Sequence, residues 1–112
     1  MKKITLGSAV ALLLLSINAF ADPHLDEAIT HASAALEHGK AGHSSVLLQH
    51  ARPALEHAMA ASVTAKGVSR TKIEAAMADL EEAIKHAKQN HAEVATTYME
   101  AALEDLKVAN KK

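Results

Sequence analysis

The segment HLDEAITHASAALEHGKAGHSSVLLQHARPALEH, residues 24–57, decides the fold. Its six histidines, His24, His31, His38, His43, His50 and His57, are spaced by seven, seven, five, seven and seven residues. Seven residues of α-helix rise about 10.5 Å and return to almost the same face, drifting about 20°. Metal–imidazole bonds are only about 2.0–2.1 Å long, so heptad neighbours on one helix cannot grip the same ion. The chain has no H-x-x-x-H, the spacing that lets one helix chelate. The five-residue gap changes this. His38 with His43, His31 with His50, and His24 with His57 are mirror pairs about a turn near Lys40 and Ala41, each pair's numbers adding to 81. If the segment folds as two antiparallel helices, each pair becomes a rung, and the three rungs lie about 10 Å apart along the hairpin.

Working outward, start and stop signals divide the chain into four amphipathic helices. Asp22 is placed to cap the first, with Pro23 in the first helical position. Its apolar stripe is Leu25, Ile29, Ala32 and Leu36, and Gly39 and Gly42 in HGKAGH end it. Ser44 is placed to cap the second, whose stripe is Leu47, Ala51, Ala54, Leu55 and Ala58. Pro53 lies inside that helix and should kink or split it. VTAKGVS (63–69) reads as a connector around Gly67, and TKIE (71–74) as a capping box opening the third helix. That helix carries Ile73, Met77, Leu80 and Ile84, QN at 89–90 breaks it, and the fourth carries Val94, Ala102, Leu103 and Leu106. Helices this short are stable only when their stripes are buried together. The expected fold is all-α, an antiparallel four-helix bundle.

The chain also repeats. A shift of 48 residues lays HGKAGH on HAKQNH, and Ala28, Ala35, Lys40, Val46, Ala54, Leu55 and Glu56 on Ala76, Ala83, Lys88, Val94, Ala102, Leu103 and Glu104. The bundle therefore reads as two related hairpins. His86 and His91 form a rung beside the second turn, and Glu82 stands one turn before His86 as Glu27 does before His31. The outer rungs of the second hairpin are Asp79 with Tyr98 and Lys72 with Asp105.

Composition narrows the function. Residues 1–21 have the signal-peptide pattern: MKK, an apolar run and AFA. The expectation is export to a bacterial periplasm, cleavage after Ala21, no membrane association afterwards, and a single domain from Asp22 to Lys112. With no cysteine there is no disulfide framework, thiolate site or covalent haem. Removing Lys2 and Lys3 would lower the basic count from 12 to 10 against 13 acidic residues, a balance that does not favour nucleic acid. No nucleophile constellation, phosphate loop or buried acid–base pair is visible, so a non-enzymatic binding module is expected.

Paired imidazoles with carboxylates nearby suit divalent ions, copper(II) best, with nickel and zinc possible. Met59, Met77 and Met99 read as core. The competing readings are a solvated repeat, a structural or partner-binding module without metal, a pH sensor, and a b-type haem bundle.

The histidine hairpin, followed by LEEAIKHAKQNHAEVATTYMEAALEDL (80–106), resembles the small metal-binding protein (SmbP) family over essentially the whole mature chain. That resemblance is strongest over the first hairpin, in the H-G-K-x-G-H turn and the A-x-x-H repeats. It implies periplasmic copper binding, as scavenging or buffering, with several divalent ions accepted. It carries the ligand role to His24, His31, His38, His43, His50, His57, His86 and His91. The sequence departs from the family at Lys72, Asp79, Tyr98, Asp105 and Pro53, which implies fewer ions per chain.

Overall fold

The computed structural model describes residues 22–111. The signal-peptide reading of residues 1–21 lies outside them. Four helices follow one another: α1 (Pro23–Lys40), α2 (Ser44–Thr64), α3 (Gly67–Lys88) and α4 (Ala92–Ala109). Each packs antiparallel on the next and α4 packs back on α1, while the diagonal pair α2 and α4 barely touch. This is an antiparallel four-helix bundle. No described helix is long and apolar enough to cross a membrane.

Alanine explains how the helices close. Ala28, Ala32 and Ala35 of α1, Ala51, Ala54, Ala58 and Ala61 of α2, and Ala76, Ala83, Ala95 and Ala102 of the second hairpin are all buried. Among the described residues only Leu47, Ile73, Leu80, Met99 and Leu106 are large and fully buried. Ile29, Leu36, Leu55, Met77 and Ile84 flank this centre, partly covered. The expected stripes were therefore right in direction but set too far toward the large residues. Val94 is exposed, and of Met59, Met77 and Met99 the first is exposed as well, so neither Val94 nor Met59 belongs to the core. Small residues at the centre let helix backbones approach closely, because knobs of one methyl need little depth.

The caps differ from expectation in several places. Asp22 does cap α1, its carboxylate accepting from the His24 amide at 2.9 Å with Pro23 in the first turn. Gly39 does not end α1; it lies within it, buried, where a Cβ would meet the Thr96 side chain of α4 and come within 2.7 Å of Leu47 Cδ1. Its missing side chain is a condition of close packing. Ser44 is not a cap: His43 occupies that position, and Ser44 Oγ is buried with no partner. Pro53 is accommodated inside an unbroken α2. The connector shrinks to Ala65 and Lys66, with α3 starting at Gly67, whose φ of +62° suits glycine. Thr71 and Glu74 consequently sit inside α3. There Thr71 bonds back to the Gly67 carbonyl and Glu74 pairs with Arg70, so no capping box forms.

Both hairpin turns have one construction. After α1, the Gly42 amide donates to the Gly39 carbonyl and the His43 amide to the His38 carbonyl, each at 2.9 Å. After α3, the Asn90 amide donates to the Ala87 carbonyl at 3.0 Å and the His91 amide to the His86 carbonyl at 2.9 Å. This is the Schellman closure, which needs a left-handed residue just beyond the helix. Gly42 (φ +83°) and Asn90 (φ +64°), 48 residues apart, supply it. Each closure bonds the backbone of one histidine directly to that of the next.

Candidate metal centre

The histidines ride on the flank of the buried stripe. His31, His38, His50, His57 and His86 are half-buried, while His24, His43 and His91 are exposed. The mirror pairs form as expected. Ring centroids of His24 and His57 are 5.4 Å apart, of His31 and His50 5.8 Å, of His38 and His43 6.1 Å, and of His86 and His91 6.1 Å. All four pairs are tilted by 32–35°.

The expected isolation of the rungs is corrected. His31 also stacks on His57 at 5.9 Å and His38 on His50 at 5.7 Å, nearly parallel at 6° and 5°. The first hairpin thus carries one zigzag column in the order His24, His57, His31, His50, His38, His43. The cause is the lean of helical side chains. Every Cα–Cβ bond tilts toward its own helix N-terminus. In antiparallel helices those tilts oppose, so His31 leans toward the open end while His57 leans toward the turn. The lean draws diagonal partners together and spreads mirror partners apart, until both separations are alike. No close ring pair among the described residues joins one hairpin to the other, so a histidine from the other hairpin does not complete a rung.

The second hairpin builds the same column with other side chains. His91 faces His86, and Tyr98 then stacks on His86 at 5.6 Å and 7°, as His50 stacks on His38. The outermost positions are closed by Lys72 Nζ, 3.7 Å from Asp105 Oδ1. Between these lies Asp79, its carboxyl raised above the usual carboxylate range by burial first, then by the charges of Asp105 and Glu82.

Carboxylates meet the column at two points. Glu27 Oε1 is 3.9 Å from His31 Nε2, and Glu82 Oε1 is 3.8 Å from His86 Nε2. Glu27, His31 and His57 each offer one ligand atom, all within 4.8 Å of one another. This cluster uses a diagonal ring pair, which the mirror rule did not reveal. At the open end His24 Nδ1 and His57 Nδ1 are 3.1 Å apart, within hydrogen-bonding distance. His86 Nδ1 is buried without a partner, a lone nitrogen that a cation would satisfy.

These separations suit a bridging ion. A metal–nitrogen bond of about 2.0–2.1 Å puts the ion about 3.2 Å from each ring centroid. Two ligating rings then lie about 4.5 Å apart at a right angle and about 6.4 Å apart in line. All the histidine pairs, from 5.4 to 6.1 Å, fall between these limits. At Glu27, His31 and His57 the ligand atoms themselves also lie within 4.8 Å of one another, and this cluster fits a borderline divalent ion held by nitrogen with oxygen alongside.

No curated protein matches the chain. The profile of the small metal-binding protein family matches residues 1–109, nearly the full length and both histidine hairpins. With that match and a ring column spaced for cations, the chain belongs to the small metal-binding protein family.

Proposed function

We propose that the protein is exported to the periplasm and there buffers or scavenges copper(II), acting by binding and without catalysis. His24, His31, His38, His43, His50 and His57 serve as ligands on the first hairpin, and His86 and His91 on the second. Glu27 and Glu82 add oxygen. The observation that carries this reading is the Glu27, His31 and His57 cluster set within an unbroken column of six imidazoles. Mixed nitrogen and oxygen donors that leave positions open for water suit copper(II) above the other first-row divalent ions, with nickel(II) and zinc(II) weaker. The pattern MKK, apolar run, AFA supports export. No histidine belongs to the buried core of the described residues, so a haem iron at the bundle centre finds no imidazole ligand there.

The test is a copper(II) titration at pH 7.5 and pH 5, with native mass spectrometry of protein offered one equivalent each of copper, nickel and zinc. Neutral imidazole is the ligand, so protons compete with the ion for its lone pair as pH falls. Tight binding at the higher pH, its loss at the lower, and selection of copper are expected. Equal affinity at both pH values, or no metal retained, overturns the proposal.

A further inference from the structure

The rings of the first hairpin are shared between neighbouring sites. His57 faces His24 with Nδ1 atoms 3.1 Å apart, and it also belongs to the cluster with Glu27 and His31. A neutral imidazole carries its proton on one nitrogen and a lone pair on the other, so each ring holds one ion at a time. The His24–His57 pair and the Glu27–His31–His57 cluster are therefore alternative positions for a single ion, with His57 common to both. Every other interior ring likewise has two ring neighbours. His31 lies between His57 and His50, His50 between His31 and His38, and His38 between His50 and His43. No link in the column exceeds 6.1 Å.

Resting on the proposed copper binding, we infer that the first hairpin is a metal relay, along which a divalent ion moves by exchanging one ring at a time. In the first step the ion is held by His24 and His57. A new bond forms to His31, assisted by Glu27, and the bond to His24 then breaks. His24 leaves as neutral imidazole, His57 stays bound throughout, and the ion keeps its oxidation state. Movement through solvent instead requires breaking every protein bond. The exposure pattern agrees, since His24 and His43 at the two ends are open to solvent while the four rings between them are half-buried. The second hairpin holds a built-in stop. Tyr98 takes the ring position next to His86, and its phenol carries no imidazole nitrogen to take the ion onward.

The test follows imidazole resonances of the full chain by NMR with one equivalent of zinc(II), chosen because it is diamagnetic, in wild type, His50→Ala and His31→Ala. Either variant cuts the column in its middle and leaves both end rings in place. Wild type is expected to show one averaged set of ladder resonances. In both variants exchange between the His24 side and the His43 side is expected to slow by about tenfold or more, the loss of a route that retains one ligand. Equal exchange rates in wild type and variants, or separate static sets in wild type, overturn the relay while leaving metal binding intact. So does a chain whose rings respond to copper(II) and not to zinc(II), because sharing belongs to the column and not to one ion. Imidazoles that respond to neither ion overturn the copper reading itself.

Discussion

His31 and His57 stack at 5.9 Å and 6° although the hairpin pairs each with a different partner, and Glu27 reaches the same place. The best-formed ligand set therefore lies between rungs. Glu27→Gln keeps the size and helical preference of the side chain and removes its charge. It should weaken the tightest copper(II) site by about tenfold, or about 1.4 kcal/mol, as read by isothermal titration. Glu82→Gln should leave that site unchanged and affect only binding at His86. Equal effects of the two variants would contradict the placement.

The interior is closed by methyl groups, which makes it intolerant of size. Ala54 is fully buried on α2. Ala54→Leu should cost about 1–3 kcal/mol by overpacking. Leu47→Ala, removing one of the few large core side chains, should cost about 2–5 kcal/mol through a cavity. Thermal unfolding followed by circular dichroism measures both, and a more stable Ala54→Leu would show that the core holds unfilled space.

Three turn-region residues separate two reasons for a small or permissive side chain. Gly39 is helical but meets Thr96 and Leu47, whereas Gly42 is left-handed with open space around its missing Cβ. Gly39→Ala should destabilise by crowding, relieved in part by Thr96→Ala, which removes the nearest clashing atom. Gly42→Ala should cost about 1–2 kcal/mol of backbone strain that no neighbouring substitution relieves. At Asn90, with φ +64°, Asn90→Gly should be neutral or stabilising.

Asp79 gives the stability curve a direction. Its carboxyl is raised by burial, then by Asp105 and Glu82, so the folded state holds this proton more tightly than the unfolded chain does. Between the ordinary aspartate range and the raised value the folded protein binds more protons, and this group's contribution to stability falls as pH rises through that window. Asp79→Asn should therefore raise the melting temperature near pH 7 and lose its advantage near pH 3. An advantage that stayed constant with pH would locate the effect in packing.

The mirror pairing could be read from the residues because it needs only a period and a turn. Heptads place each histidine on one flank, and HGKAGH and HAKQNH mark where the chain reverses. The diagonal contacts were not read because spacing was counted between backbone positions, about 10.5 Å apart at the helical rise. The opposed lean of His31 and His57 supplies the rest. The heptads together with the known tilt of Cα–Cβ bonds contain that signal. Ser44 misled because serine favours caps in general, whereas here the Schellman closure already positions His43. Thr71 and Glu74 matched a capping pattern, but the helix begins at Gly67 with Lys66 in the cap position, five residues before Thr71. Alanines such as Ala28 and Ala95 were passed over as core because larger residues lie beside them.

The two hairpins share one packed interior while their outer columns diverge, with Tyr98, Asp79, Asp105 and Lys72 standing where the first has imidazole. The four positions that differ lie outside the fully buried interior, although Tyr98 packs against it and Asp79 bears on stability. A library randomised at those four sites alone would explore new cation selectivities with every buried methyl left in place, which makes this small bundle a natural chassis for built-to-order chelators.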